Sequence, residues 1–348
     1  MIEIEALSTE LPFVYGGPKV AGEIRQNIDD FFVDEDLGFE PDGEGHHVLL
    51  HIEKRDTNTQ WLVKQVARYA ELPAMEVGYA GLKDRHAVTR QWISVHLAGR
   101  DLDWQGFNSD QWQILEIARH QRKLRPGFLR GNKFRIVVRN LQGDVDGLDA
   151  RLSQIKQRGM ANYFGEQRFG FDNIARAYAW LSGELKVKKK QEKSILLSSL
   201  RSAIFNQILA ERISVDSWDQ AILGDVMMLS GSHSIFASDE LDDALRQRLQ
   251  VRDISTTGLL FGAGDNKTHS AALELEADVL SRFPKLCERL KKTDLKSQRR
   301  ALIVMPEDLQ WSIDKHRATL TLQFGLNSGS YATSLLREIV SYQVAKDD

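Results

Sequence analysis

Residues Gly78 to Trp92 read GYAGLKDRHAVTRQW. A single carboxylate, Asp84, stands there among Lys83, Arg85, His86 and Arg90. Glu76 to Ala80 reads as a short strand entering the stretch. Gln91 to Leu97 (QWISVHL) leaves it with Ile93, Val95 and Leu97 alternating on one face. Loop aspartates commonly serve turns. Ringed by cations, an aspartate is favoured in its ionised form, and so placed it could act as a nucleophile or general base.

Further strand signals lie on both sides. His47 to Ile52 (HVLLHI) is a short apolar run, and Phe134 to Val138 (FRIVV) is similar. Between them Trp61 to Leu72 reads as a helix, with Thr57, Asn58 and Thr59 all suitable caps. Beyond about residue 145 the chain turns helical. Leu196, Leu200, Ile204 and Ile208 share one face of Lys193 to Arg212, and Asp239 to Gln250 and Ala271 to Lys292 are also helix-like. Strand character returns at Ala318 to Phe324 (ATLTLQF), and Ser334 to Val344 reads as a closing helix. Sheet, then helices, then sheet suggests a helical domain inserted into an α+β domain.

The 348 residues suit two domains, and 42% hydrophobic and 27% charged residues suit an ordinary globular chain. The net charge of −3 neither favours nor excludes nucleic acid, so local charge decides. Ile117 to Gly143 holds no acid but carries Arg119, Arg122, Lys123, Arg125, Arg130, Lys133, Arg135 and Arg139. Such a run is either a solvated strand face or a phosphate-tracking surface, with Phe128 and Phe134 placed to stack on bases. The lysine run Lys186 to Lys193 reads as a solvated face.

Other classes of chemistry find little support. His46, His47 and His51 lack the companions of a metal site, so no metal is expected. Gly258 to Gly264 (GLLFGAG) lacks a dinucleotide-binding context and reads as a turn. MIEIEALSTE does not read as a signal peptide, and no apolar run approaches the ~18 residues of a membrane span. The lone Cys287 fits a reducing compartment. A soluble cytoplasmic protein is expected.

Taken together, these stretches resemble the TruD family of tRNA pseudouridine synthases. Gly78 to Trp92 matches its catalytic signature. FFVDEDLGFEPDGEG (Phe31–Gly45), RKLRPGFLRGNKF (Arg122–Phe134), NYFGEQRFG (Asn162–Gly170), RSAIFNQILAER (Arg201–Arg212) and GSYATSLLRE (Gly329–Glu338) follow in family order. The resemblance implies an α+β fold: a pseudouridine synthase catalytic domain with a mixed, largely antiparallel sheet, formed by residues 1–158 plus 306–348. A mainly helical family-specific domain, residues 159–305, is inserted into it.

By the same resemblance Asp84 is the carboxylate that isomerises uridine, without metal or cofactor. Phe31 and Asn132 are substrate-binding positions, Phe134 is an active-site aromatic, and Tyr331 stacks on the flipped uracil. Arg25 stands where the family commonly has a lysine that pairs with the aspartate, and its planar fork differs from an ammonium. Asn327-Ser328-Gly329 lacks the proline often found before that glycine. The implied substrate is the uridine at position 13 in the D arm of glutamate tRNA, bound by a monomer with no membrane or obligate protein partner. Two rivals stay open: a tRNA-binding module with secondary chemistry, and a hydrolase of a nucleoside bond.

Overall fold

The structure is a computed structural model that describes residue 7 and residues 10–345. Most of the amino-terminal stretch MIEIEALSTE lies outside the described residues. The chain divides into two compact units. One comprises Lys19–Leu152, Pro306–Gly329 and Ile339–Asp348; the other comprises Met1–Pro18, Ser153–Met305 and Ser330–Glu338.

The first unit opens with seven strands: β1 (Val20–Ile24), β2 (Phe31–Asp36), β3 (His47–Arg55), β4 (Val77–Tyr79), β5 (Val88–His96), β6 (Trp112–His120) and β7 (Gly131–Gly143). β3 pairs antiparallel with β5 on one side and β6 on the other, which explains its near-continuous apolar run. Helix α1 (Thr59–Tyr69) covers one face of this sheet. Its Leu62, Val63, Val66 and Ala67 join Val48, Leu50, Ile52, Ile93 and Val95 in one buried cluster. Of the three candidate caps Asn58 does the work, its side chain accepting from the amides of Gln60 (2.8 Å) and Trp61 (3.2 Å). Thr57 and Thr59 are left for other partners.

The second unit contains α2 (Leu148–Arg158) from Ser153 onward, α3 (Asn173–Leu181) and the long α4 (Lys190–Ser214). Leu196, Leu200, Ile204 and Ile208 of α4 are all buried, as their spacing requires. A short antiparallel pair joins β8 (Met160–Ala161) to β13 (Ile303–Val304). A small sheet runs in the order β10 (Ile235–Ala237), β9 (Val226–Leu229), β11 (Ile254–Leu260), β12 (Gln298–Ala301). Three helices complete the unit before its final segment: α5 (Asp243–Gln250), α6 (Ser270–Ser281) and α7 (Pro284–Lys291). Three expectations change here. Gly258-Leu259-Leu260 belongs to β11 rather than a turn, because Gly258 fits closely under Phe205 and Leu302. Ala271 to Lys292 is two helices, broken ahead of Pro284, which starts the second. The helix expected from Asp239 begins at Asp243, where the Asp242 side chain caps the Leu245 amide at 2.7 Å.

The chain then returns to the first sheet with β14 (Glu307–Asp314) and β15 (Thr319–Asn327), passes through α8 (Ala332–Ile339), and ends in β16 (Ser341–Val344). The expected closing helix is thus cut at Ile339. Ser341 to Val344 pair in parallel with β1, a long-range partnership that local helical spacing does not reveal. The main path is β14-β15-β7-β2-β5-β3-β6, with β1 and β4 paired off it. β2–β5 and β1–β16 are parallel and the other pairs antiparallel, so the sheet is mixed and largely antiparallel, as expected for the α+β class.

Candidate active site

Asp84 lies in the loop between β4 and β5, where no ladder hydrogen bonds hold the backbone. Its side chain is 35% exposed. The cations of its own stretch face elsewhere. Arg85 and His86 reach Asp56 (3.5 and 3.2 Å), and Arg90 reaches Glu53 (2.8 Å). Lys83 is buried against Glu35 at 2.9 Å. The ion pair to the Asp84 carboxylate comes instead from Arg25, whose Nη2 is 2.7 Å from Oδ2.

Arg25 sits just beyond β1 with a left-handed backbone, φ 62°. Its guanidinium lies 4.2 Å from the centroid of the Phe31 ring, a cation–π contact that orients the planar fork. Phe31 is 4% exposed and meets Phe134 edge-on at 6.5 Å. Phe134 in turn stacks on Phe324 at 5.2 Å. β2 and β7 pair with Glu35 opposite Asn132, so one ammonium can serve both. Lys83 Nζ donates to Asn132 Oδ1 at 2.8 Å while it pairs with Glu35. Glu35 also accepts from the Trp92 amide at 2.9 Å. The sheet therefore brings Arg25, Phe31, Asp84, Asn132 and Phe134 together through a continuous chain of contacts. Tyr331 belongs to the other unit, where its ring meets Phe164 at 6.1 Å and the backbone of Gly165 comes close enough that a Cβ there would lie 3.3 Å from it.

Lys54 and Glu35 are not singled out by the sequence, and Thr59 only as a helix cap. Lys54 is fully buried, and its Nζ donates to the carbonyls of Thr57 (2.6 Å) and Asp84 (2.9 Å). Burial pushes its pKa down to about 8, with Lys83 adding to the fall and the Asp84 and Asp56 carboxylates opposing it. Thr59 Oγ1 accepts from the Lys83 amide at 3.1 Å and donates to Gln91 at 2.9 Å. A signal for two of these residues is present in the strand parity. Lys54 shares its face of β3 with Val48, Leu50 and Ile52, and Glu35 shares its face of β2 with Phe31 and Val33. A charged residue on the inward face of a strand must have a partner inside.

The basic run of residues 117–143 divides in two. Arg139 makes three hydrogen bonds of 2.7–3.1 Å to the buried Asp30, Arg130 pairs with Asp36 at 2.7 Å, and Arg119 pairs with Asp101. Arg122, Arg125, Lys133 and Arg135 are exposed, as is the ring of Phe128. His51 stacks on Trp92 at 4.5 Å, and His47 meets His96 at 4.8 Å, so both serve packing within the sheet. Among the described residues, no group of three or more histidines, cysteines or carboxylates could hold a metal ion, and no helix is long and apolar enough to cross a membrane.

The arrangement presents a carboxylate, a third exposed, paired with an arginine that lies over an aromatic ring, while the neighbouring Lys83 holds an amide. The family model described as tRNA pseudouridine synthase D (TruD) matches residues 10–188 and 178–339. The curated tRNA pseudouridine synthase D of Methylococcus capsulatus is 41% identical over 337 residues, covering 96% of this chain and 95% of that protein. That of Hydrogenovibrio crunogenus is 40% identical, covering 97% of each. A solved structure from Methanosarcina mazei, bearing the same family description, superposes with a TM-score of 0.76 at 22% identity, over 97% of this chain and 98% of that one.

Proposed function

The chain belongs to the TruD family of tRNA pseudouridine synthases, isomerases acting on uridine in tRNA, and from that premise we propose that Asp84 is the reacting carboxylate. The target we propose is the uridine at position 13 in the D arm of glutamate tRNA. The observation that carries the reading is the Arg25–Asp84 pair: a carboxylate held at 2.7 Å by a guanidinium, yet a third exposed. Arg25 balances its charge without neutralising it by proton transfer, since an arginine stays protonated.

Two routes use such a group. In one, the Asp84 carboxylate attacks ribose C1′ as the C1′–N1 bond breaks and its electrons leave with the uracil. The base turns, C5 attacks C1′ and the carboxylate departs. In the other, Asp84 removes the C2′ proton as the C1′–N1 bond breaks and the uracil leaves as an anion, giving a glycal; C5 then bonds to C1′ as Asp84 returns the proton to C2′. Both end with the C5 hydrogen lost to water and a proton gained at N1. The first parallels retaining glycosidases, which support an electron-poor sugar carbon with a carboxylate. Here the leaving base is kept.

The uridine must leave its stack to meet Asp84, at a cost of a few kcal/mol offset by pocket contacts. In this account Tyr331 stacks on the flipped uracil, while Phe31, Asn132 and Phe134 line the sugar and base. Residues 1–158 with 306–348 act as the catalytic domain and 159–305 as its insertion. The enzyme works as a cytoplasmic monomer without a cofactor.

The test is incubation with tRNA transcripts carrying tritium at uridine C5, with the product mapped by carbodiimide modification and primer extension. Release of one tritium per glutamate tRNA, with the stop at position 13, is expected. Release from a transcript lacking that uridine would overturn the target. Cleavage to free uracil would mark a hydrolase.

A further inference from the structure

Lys54 has no exposed surface, although taking an ammonium out of water is costly and stable only with partners of good geometry. Its two hydrogen bonds run to main-chain carbonyls, of Thr57 at 2.6 Å and of Asp84 itself at 2.9 Å. Five residues further on, Thr59 Oγ1 takes the amide hydrogen of Lys83 at 3.1 Å. The amide before Asp84 and the carbonyl after its Cα are therefore both held by one short stretch, Lys54 to Thr59. That stretch is itself anchored, by β3 at one end and by the Asn58 cap of α1 at the other.

We propose that Lys54 is a positioning residue for uridine isomerisation: its buried ammonium fixes the Asp84 carbonyl and so aims the carboxylate. The proposal rests on Asp84 being the reacting group. Lys54 does not touch substrate, since it is sealed from solvent. It acts through the backbone of the loop, which has no ladder of its own to set it.

The ammonium form matters because its charge strengthens both hydrogen bonds to the carbonyls, whereas a neutral amine offers only weaker, uncharged donors. The charged groups that face it are Asp84 and Asp56, which favour the ammonium, and Lys83, which opposes it. Its cross-strand neighbours, Thr89 on β5 and Trp112 on β6, are uncharged. With its pKa lowered to about 8 by burial, Lys54 should lose its proton within a working pH range and loosen the loop.

The experiment compares the full chain with Lys54→Met and Lys54→Arg, with Asp84→Ala alongside. Single-turnover tritium release is followed from pH 6.5 to 9.5, with tRNA affinity and melting temperature measured on each variant. In the wild type, an alkaline fall in rate near pH 8 is expected. Lys54→Met should turn over about a hundredfold more slowly, the scale of a misplacement near 1 Å, with tRNA affinity within a few-fold and no alkaline fall. Lys54→Arg should recover part of the rate and also lack the fall, because a guanidinium keeps its proton. If Lys54→Met does not fold, Thr59→Val removes the other tether and should slow turnover at unchanged affinity. A folded Lys54→Met near the wild-type rate, or a Thr59→Val that is fully active, overturns the proposal. An active Asp84→Ala overturns instead the assignment on which it rests.

Discussion

Arg25 reaches the Asp84 carboxylate, at 2.7 Å, from a left-handed backbone at φ 62°. A side chain in that conformation costs about 1 kcal/mol or more, so the fold holds a local strain where the charge pair forms. Arg25→Gly should relieve the strain while removing the cation. Its melting temperature is expected to match or exceed that of the wild type, with turnover about tenfold or more lower. Arg25→Lys keeps the charge without the plane that lies over Phe31, and should fall between the two. Differential scanning calorimetry and tritium release on the same preparations check both. A fully active Arg25→Gly would remove Arg25 from the site.

The basic run predicts two different phenotypes. Arg122, Arg125, Lys133 and Arg135 are exposed, so charge reversal there should flatten the salt dependence of tRNA binding, by roughly 0.7–0.9 in log–log slope per phosphate lost. Arg139 is bound to Asp30, which is 2% exposed, and Arg139→Gln removes its cation, leaving the Asn27 amide as a neutral partner. It should cost about 3 kcal/mol of stability and leave the slope alone. Filter binding across a salt series and urea unfolding distinguish the two groups. A flat slope for the wild type would contradict an electrostatic tRNA surface.

Lys54 carries a prediction for stability with the opposite sign to that for activity. In the fold its pKa lies near 8, against an ordinary 10.5. Below about pH 8 it is charged in both folded and unfolded chains, and the penalty of burying that charge is fully present. Between 8 and 10.5 the unfolded chain binds more protons, so this group's penalty is lifted as pH rises. The full effect is about 3 kcal/mol, from 1.36 kcal/mol per pKa unit. Lys54→Met should therefore be more stable than the wild type at pH 7, with the gap closing toward pH 10. A gap that stays constant over that range would show that Lys54 does not titrate there.

Tyr331 is half-buried beside Phe164, so packing and stacking make different forecasts. Stacking on a base is worth about 1–3 kcal/mol by alanine substitution, so Tyr331→Ala should slow single turnover by roughly ten- to a hundredfold. Tyr331→Phe keeps the ring and should keep most activity. A Tyr331→Ala that melts lower but turns over normally would assign the ring to packing.

Much of this architecture is written locally. Gln91 to Leu97 and Ala318 to Phe324 declare strands because apolar residues alternate with the pleat, His47 to Ile52 and Phe134 to Val138 do so as short apolar runs, and α4 declares itself by its 3.6-residue spacing. β16 does not, since it is a strand only by pairing with β1 more than 300 residues earlier. β6 is hidden for another reason: Leu115 and Ile117 are exposed, so its apolar residues do not alternate with burial. At the site, charge proximity in sequence misleads. Lys83, Arg85, His86 and Arg90 flank Asp84 along the chain but turn to Glu35, Asp56 and Glu53, while the cation on the carboxylate comes from Arg25. Arg25 carries no local pattern that marks it, and only the family resemblance points to it. Lys54 was legible in principle, as a lysine on the inward parity of an apolar strand.

The most direct measurement is single-turnover tritium release by Asp84→Asn and Asp84→Ala, with tRNA affinity determined on the same samples. Removing the carboxylate removes the group that acts at the sugar, whereas phosphate contacts lie on other residues. Loss of release to background, with affinity within a few-fold of the wild type, is the predicted result. Substantial turnover by Asp84→Ala would contradict the assignment of the chemistry to this carboxylate.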